Sequence, residues 1–360
     1  MPFHSSAGNY GSAVFEELTE QLVAGKDLDE GQICSALTGL MYENIDPEAK
    51  ADFLTALAKK GESPDEIAVF ARELRERATE VPLGEETRKE EILDVCGTGG
   101  DKLNTFNIST TVAILCAAAG VKVAKHGNRA ITSKSGSADV LAALGIPTEL
   151  SPAEAAVNIR DHGFAFLFAP GYHPAFKNIV PARKICAERG QRTIFNFLGP
   201  LLNPAKPTAQ IIGVPNPALC EPLAKVLQAI GIRRGMVVCG GIEGTDKHMD
   251  ELSTLGDSQV AEFYQEKGFS VTSLSPKDLP VTSAKLEDLA GGEAADNAAI
   301  TTSILKGEET GPKLDAVLLN SGAALFVAGK ADSISGGWEL AQSVISDGRA
   351  AAKLADLASA

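Results

Sequence analysis

The chain has 360 residues, a length that suits one large domain or two ordinary ones. Its composition, with 44% hydrophobic and 22% charged residues, is typical of a soluble globular protein. A formal charge of −14 at pH 7 argues against a surface that binds nucleic acid or anionic membranes.

Membrane insertion and export are not indicated by the sequence. No run of about 18 apolar residues occurs, so we expect no membrane span. The first residues are polar and lack the apolar core of a signal peptide.

The cysteines are scattered, without a C-x-x-C pair, so we expect reduced thiols in a cytoplasmic protein and no zinc site. They are Cys34, Cys96, Cys116, Cys186, Cys220 and Cys239.

Residues 1–80 are predicted to form a small all-helical domain. Apolar residues recur at helical spacing from Val14, from Ile33 and from Phe53. Ser63 and Glu66 then form a capping box that predicts a fourth helix. Either an apolar face of this domain binds a partner subunit, or the helices pack only on the rest of the chain. Residues 81–91, with Pro and Gly, are predicted to be a hinge.

Residues 92–360 are predicted to form a large α/β domain. Apolar segments typical of strands alternate with helical segments, which indicates a mostly parallel central sheet flanked by helices. We expect 260–264 and 269–274 to pair in antiparallel fashion, the chain from 315 onward to be helical, and a helical stretch near 174–190 to pack with the small domain. The other predicted strands are 92–96, 121–124, 164–168, 210–214 and 236–239, and the helices between strands include 137–144, 151–161 and 217–230.

A glycine loop follows the first predicted strand. Glycine accepts positive φ, and the free N–H groups of such a loop, with the helix start behind it, bind anions. The spacing matches neither the dinucleotide fingerprint nor the P-loop. The glycine spacing is compatible with a phosphate or diphosphate site and also with a plain strand-to-helix turn. The polar residues that follow the glycines favour the phosphate site. The glycines are Gly97, Gly99 and Gly100, and the polar residues are Asn104, Thr105, Asn107, Ser109 and Thr110.

Three further groups of residues suggest chemistry. A second loop, 125–137, follows the next strand and carries two lysines, an arginine and four hydroxyls, which suit an anion, although a solvated polar loop is also compatible with them. Arg183 could hold a carboxylate through two parallel hydrogen bonds, although an arginine on a helix is more often part of a surface ion pair. Asp250 and Glu251 follow a strand and offer the carboxylates that Mg²⁺ takes together with phosphate oxygens, although solvated loop acids are also common.

Taken together, these motifs resemble the anthranilate phosphoribosyltransferase family, within the nucleoside phosphorylase-like transferases. The resemblance rests on Gly97-Thr-Gly-Gly-Asp101, Asn104-Thr-Phe-Asn-Ile-Ser-Thr110, Lys125-His-Gly-Asn-Arg129 with Ser133-Lys-Ser-Gly-Ser-Ala-Asp139, the segment 192–204, and Asp250-Glu-Leu-Ser253. It implies transfer of a phosphoribosyl group from 5-phosphoribosyl 1-diphosphate to the amine of anthranilate. It also implies two Mg²⁺ per subunit, a homodimer joined through the helical domain, and substrate bound between the domains.

The resemblance also assigns roles to individual residues, and it names none as an obligate acid or base. Anthranilate would contact Gly97, Asn128 and Arg183. The metal ligands would be Ser109, Asp250 and Glu251. The sugar diphosphate would be held by Gly97, Gly100, Asp101, Thr105, Asn107, Ser109, Thr110, Lys125, His126, Gly127, Asn128, Ser133 and Ser137.

Two other functions remain open at this point. A pyrimidine nucleoside phosphorylase-like enzyme would share the architecture, but it should carry a Lys-His-Ser-Thr-Gly-Gly type of loop where Lys125-His-Gly-Asn128 stands. A non-enzymatic relative that binds nucleic acid should have lost the glycine loop or the carboxylates and gained a basic face. This chain keeps both features and is acidic.

Overall fold

The computed structural model of the chain describes residues 6–130, 134–264 and 268–360, with side chains from Val14 onward. Two compact units are present, one made of Met1–Thr79 and His173–Leu202 and the other of Glu80–Tyr172 and Asn203–Ala360. The helices are α1 Ser6–Val23, α2 Glu30–Met41, α3 Pro47–Lys60, α4 Pro64–Glu76, α5 Glu85–Lys89, α6 Ile108–Ala118, α7 Ser137–Ala143, α8 Pro152–Asp161, α9 Ala169–Tyr172, α10 Val180–Glu188, α11 Cys220–Ala229, α12 Ala294–Leu305, α13 Pro312–Val327, α14 Ile334–Ser346 and α15 Arg349–Leu357.

The helical unit contains the four predicted N-terminal helices and a later segment of the chain. The Ser63–Glu66 capping box is present at the start of α4, as predicted. Helix α10 packs on α3, where the Cys186 thiol donates to the carbonyl of Ala51 at 3.5 Å. The segment His173–Leu202 belongs to the helical unit, and it contains the stretch near 174–190 that we expect to pack with the small domain.

The second unit contains one eight-stranded sheet within the described residues. The strands are β1 Ile92–Gly97, β2 Lys122–Gly127, β3 Phe164–Phe168, β4 Ala209–Gly213, β5 Arg234–Gly241, β6 His248–Met249, β7 Ser258–Tyr264 and β8 Gly268–Leu274. Their order is β3-β2-β1-β4-β5-β7-β8, with β6 beside β5. The first five strands are parallel, and β6, β7 and β8 pair in antiparallel fashion, so the predicted mostly parallel sheet is confirmed.

Both faces of the sheet are buried along β1 to β4 because alternate strand residues enter two different clusters, whereas most of β8 is exposed. Leu93 and Val95 pack with α6, α13 and α14, whereas Ile92 packs with α8 and the neighbouring strands. The helix α12 was not predicted, and α5 lies within the segment predicted as a hinge. Among the helices that the structure describes, none has the length and hydropathy that a membrane span requires.

Candidate active site

The glycine loop begins where β1 ends, beside the end of the parallel strand β4. Gly97 pairs with Gly213, and the N–H of Thr98 donates to the carbonyl of Gly213 at 2.9 Å. Gly99 and Gly100 then take φ values of +72° and +87°, a region that glycine adopts without steric cost. The chain therefore turns sharply at the carboxyl end of the sheet, the edge at which open α/β sheets bind ligands.

The acid pair lies directly against this loop. The N–H of Gly99 donates to Asp250 Oδ2 at 2.7 Å, although the two residues are 151 positions apart. A Cβ on Gly97 would lie 2.1 Å from Asp250 Oδ2, and one on Gly213 would lie 1.5 Å from the carbonyl oxygen of Asp250. A Cβ on Gly240 would lie 2.5 Å from the carbonyl oxygen of Glu251. Glycines on β1, β4 and β5 thus leave the space that the acid pair occupies.

Lys125 connects the second loop to the first. Its side chain is buried, and Nζ donates to the carbonyl of Val95 at 2.6 Å and to Ser109 Oγ at 3.3 Å. Burial lowers the pKa of Lys125, while the negative charges of Asp94 and Glu251 act in the opposite direction. The start of α6, the base of the second loop and the acid pair therefore belong to one electrostatic cluster.

The surroundings of Asp250 and Glu251 disfavour the ionised form of both carboxylates. Burial and the adjacent Asp250 raise the pKa of Glu251 well above its usual value, although Lys125 and the backbone of Ser109 counteract the shift. Burial and the charge of Asp101 likewise raise the pKa of Asp250. Both residues keep part of their surface accessible, even though protein atoms surround the carboxylates. A bound divalent cation would stabilise their ionised forms, because opposite charge favours ionisation.

The donor set suits Mg²⁺. In the part of the chain that the structure describes, no three His, Cys, Asp or Glu side chains are arranged to hold a metal ion by themselves. Two adjacent carboxylates and the nearby hydroxyl of Ser109 are nevertheless present, and Mg²⁺ commonly takes one or two carboxylates and completes its shell with phosphate and water oxygens. The residues therefore fit a metal that is held jointly with a phosphorylated ligand.

The predicted diphosphate residues of the first loop differ in exposure. Gly100 is exposed, and Gly97, Asp101, Thr105, Asn107 and Ser109 are partly exposed. Thr110 is fully buried, and its hydroxyl has no hydrogen-bond partner among the described residues. The prediction that Thr110 contacts the ligand is thus not supported for its side chain, because the first turn of α6 is packed into the core.

The second loop is also folded tightly at the edge of the sheet. Asn128 is exposed, Gly127 and Ser137 are partly exposed, and His126 is buried. A Cβ on Gly136 would lie 2.4 Å from the backbone nitrogen of Ala130, so the backbones of these two loop residues approach closely. Ser133, which was also predicted to hold the diphosphate, lies outside the described residues.

Sequence reasoning missed a buried acid beneath the site. Asp94 accepts hydrogen bonds from Asn203 Nδ2 at 2.9 Å and from Gln210 Nε2 at 3.1 Å, and its other oxygen accepts from the N–H of His126 at 3.3 Å. Burial raises the pKa of Asp94 to about 6. Its position in the middle of an otherwise apolar strand was the signal that could have identified it, since a buried acid needs partners.

Arg183 lies in the helical unit, on α10. Its guanidinium is 5.7 Å from the ring centroid of Phe195 and forms no ion pair with any acid that the structure describes. Burial lowers its pKa, but an arginine remains charged in proteins. The side chain is therefore a partly buried cation that is held against an aromatic face and is available to a carboxylate.

Comparison with known proteins identifies relatives over nearly the whole chain. Residues 89–351 match the glycosyl transferase family a/b domain, and residues 16–78 match its helical bundle domain. An anthranilate phosphoribosyltransferase from Shewanella frigidimarina is 42% identical over 345 residues, which cover 96% of each chain.

Solved structures of the same kind of enzyme share the fold. The anthranilate phosphoribosyltransferase from Thermus thermophilus is 40% identical with a TM-score of 0.84, covering 95% of this chain and 98% of its own. The enzyme from Saccharomyces cerevisiae in complex with PRPP and Mg is 27% identical with a TM-score of 0.84, covering 96% and 98%. A structure of that yeast enzyme with 4-fluoroanthranilate is 25% identical with a TM-score of 0.81, covering 97% and 98%. The chain therefore belongs to the glycosyl transferase family, and within it to the anthranilate phosphoribosyltransferases.

Proposed function

We propose that the chain transfers the phosphoribosyl group of 5-phosphoribosyl 1-diphosphate to the amine of anthranilate in tryptophan biosynthesis. The products are N-(5-phosphoribosyl)anthranilate and diphosphate. The observation that carries the proposal is the contact of the acid pair with the glycine loop at the ends of β1 and β4. It is supported by the relative that is 42% identical over almost the entire chain.

The sugar diphosphate is held by the first and second loops. Helix α6 begins without a side-chain cap, because Asn107 at its N-cap position makes no capping bond. The first N–H groups of the helix are thus available to an anion, and the helix dipole favours negative charge there. The residues proposed to bind this substrate are Gly97, Gly100, Asp101, Thr105, Asn107, Ser109, Thr110 through its backbone, Lys125, His126, Gly127, Asn128, Ser133 and Ser137.

The enzyme uses Mg²⁺, and we propose two ions per subunit. The yeast relative has been solved with PRPP and Mg. Ser109 and Glu251 would hold one ion, and Asp250 and Glu251 the other. When bound, Mg²⁺ offsets the negative charge that accumulates on the departing diphosphate.

The chain's own groups stabilise charge separation and orient the reactants. The bond from the anomeric carbon to the diphosphate oxygen breaks, and the anthranilate nitrogen forms the new bond to that carbon and loses a proton. Backbone N–H groups of the glycine loop and the Lys125 ammonium face the developing negative charge, the type of interaction that is usually the largest catalytic term. An aniline amine is neutral at pH 7, so no residue is assigned as an obligate general base.

Arg183 and Asn128 are proposed to bind anthranilate, together with Gly97. A guanidinium without an internal acid partner can form two parallel hydrogen bonds to the anthranilate carboxylate, which an ammonium cannot reproduce. The complex of the yeast relative with 4-fluoroanthranilate supports an aminobenzoate as the acceptor.

We propose a homodimer joined through the helical unit, where α1 and α2 border an apolar groove of about 880 Å³ that is lined by Phe15, Leu18 and Ile45 among others.

A cytoplasmic location is proposed because all six cysteines are free thiols.

A mixing assay tests the function. The purified chain, 5-phosphoribosyl 1-diphosphate, Mg²⁺ and anthranilate should produce a fall in anthranilate fluorescence and a matching release of diphosphate. A parallel reaction with a pyrimidine nucleoside and inorganic phosphate should produce no free base. An unchanged fluorescence with anthranilate and with related aminobenzoates would overturn the assignment of the acceptor, and release of free base would support a nucleoside phosphorylase instead.

A further inference from the structure

Asn297, on helix α12, is buried beside the start of helix α6. Its Nδ2 group donates to Asn107 Oδ1 at 2.8 Å and to the carbonyl of Gly292 at 3.2 Å. Its Oδ1 accepts from the N–H of Gly292 at 2.8 Å. Only 2% of its surface is exposed. A single side-chain amide therefore bonds to the backbone of its own segment and to one residue of the proposed diphosphate site.

These bonds determine which way both amides point. The N–H of Gly292 can only donate, so the atom of Asn297 that faces it must be the oxygen. The nitrogen of Asn297 then faces Asn107 and requires an acceptor there, which is Oδ1. The nitrogen of Asn107 must consequently point to the opposite side, towards the second loop, where it lies 3.5 Å from the carbonyl of Ser135.

In this orientation the amide nitrogen of Asn107 can donate a further hydrogen bond. Among the described residues its amide nitrogen makes one donor contact, which is long at 3.5 Å, and an amide nitrogen carries two hydrogens. Asparagine is a favoured N-cap residue, yet the side chain of Asn107 leaves the start of α6 uncapped. Its oxygen bonds to Asn297 in place of the helix N–H groups, and its amide nitrogen faces the second loop.

We propose that Asn297 is a positioning residue for the transfer reaction: it locks Asn107 so that an N–H donor, and not the amide oxygen, faces the diphosphate. The assignment rests on the proposed function, in which Asn107 contacts that substrate. Without Asn297, the amide of Asn107 could rotate and present a lone pair to a negatively charged ligand. The expected consequence is weaker binding of the sugar diphosphate with little effect on anthranilate.

The surrounding segment has other anchors, which makes the role of Asn297 separable from folding. The N–H of Phe106 donates to the carbonyl of Leu289 at 3.1 Å, and the N–H of Gly291 donates to the carbonyl of Asn104 at 2.9 Å. Helices α6 and α12 are also joined by the hydroxyls of Thr111 and Thr301, which are 2.9 Å apart.

The test uses Asn297→Asp with Thr301→Val as the matched control. The aspartate keeps the acceptor for the N–H of Gly292 but cannot donate to Asn107. Thr301→Val removes a buried bond to Thr111 between the same two helices and leaves the Asn107 side chain untouched, although the Thr111 hydroxyl also donates to the Asn107 carbonyl at 3.1 Å. Asn297→Asp should raise the KM for 5-phosphoribosyl 1-diphosphate by roughly tenfold, the size of a lost hydrogen bond to a charged ligand. Its KM for anthranilate should stay unchanged, and Thr301→Val should alter neither KM.

A double-mutant cycle with Asn107→Ala completes the test. Where Asn107 is already absent, adding Asn297→Asp should produce no further rise in this KM. A further rise would overturn the proposal, since it would show that the new carboxylate simply repels the ligand. Equal effects of Asn297→Asp and Thr301→Val would also overturn it. If Asn107→Ala alone leaves the KM unchanged, the failure lies in the proposed diphosphate site. Asn297→Ser replaces the aspartate variant if thermal unfolding shows that the latter is not folded.

Discussion

Replacing Gly97 by alanine should displace the acid pair without removing any of its chemical groups. The added Cβ would lie 2.1 Å from Asp250 Oδ2 and 2.8 Å from its Cγ, whereas ordinary contacts begin at 3.4 Å. The carboxylate oxygen must therefore move by about 1.3 Å, the difference between 3.4 and 2.1 Å. Movement away from the loop would stretch the 2.7 Å bond to the N–H of Gly99 to about 4.0 Å, beyond hydrogen-bond range.

The expected loss of activity is large because a displacement of about 1 Å can cost about 100-fold in rate. Gly97→Ala should lower kcat/KM by about that factor and raise the Mg²⁺ concentration for half-maximal rate by roughly tenfold. Initial rates from anthranilate fluorescence, measured across a Mg²⁺ titration, provide the assay. Circular dichroism and thermal unfolding establish that the variant is folded.

Gly84→Ala is the matched control. Gly84 lies in the same unit, has a φ of −67°, and has no atom within 4 Å of the position that a Cβ would occupy. It should therefore retain the parent activity and Mg²⁺ dependence. If Gly97→Ala also retained both, the acid pair would not need its observed position and the reasoning from close packing would be refuted.

Three further substitutions test individual side chains. Arg183→Lys keeps the positive charge but loses the planar guanidinium, so the KM for anthranilate should rise by about tenfold or more while the KM for the sugar diphosphate stays constant. Equal rises of the two KM values would count against the binding of the anthranilate carboxylate by Arg183. Glu251→Gln should raise the Mg²⁺ requirement and lower the rate together, and an unchanged Mg²⁺ titration would show that this acid is not a ligand. Burial lowers the pKa of His173 from 6.5 to about 4, so its stabilising contribution is complete above pH 6.5 and is lost as the pH falls towards 4. The free energy of unfolding, measured in urea, should fall between pH 7 and pH 4 by about 3 kcal/mol less in His173→Gln than in the parent protein. An identical fall in the parent protein and the variant would contradict the lowered pKa of His173.

Local patterns could be predicted because the residues that determine them are adjacent in sequence. The capping box at Ser63 and the strand that ends at Gly97 each depend on a few consecutive residues. Helix α12 was missed because Ala294–Leu305 is rich in alanine and threonine and has little apolar periodicity. For the segment 173–202 the sequence indicated only a stretch near 174–190 that packs with the small domain, because its full extent depends on tertiary packing such as that between α10 and α3.

The candidate site could be predicted only in part for the same reason. The glycine loop and the second loop follow neighbouring strands, so their proximity follows from the topology of a parallel sheet. The contact between Gly99 and Asp250 spans 151 positions, and the bond between Asn107 and Asn297 spans 190. Such contacts are decided by tertiary packing, and the sequence pointed to the acid pair through chemistry and family resemblance, not through geometry.

The position of the acid pair is determined mainly by its backbone. The carbonyl oxygens of Asp250 and Glu251 lie 1.5 and 2.5 Å from the positions that Cβ atoms on Gly213 and Gly240 would take. Side-chain rotation therefore cannot carry the two carboxylates far from the glycine loop, and burial together with neighbouring acids, Asp101 for Asp250 and Asp250 for Glu251, raises both pKa values. One buried lysine does not compensate both charges. The diphosphate alone would meet net negative charge at this edge of the sheet, so we expect its binding to depend on the cation that the acids hold.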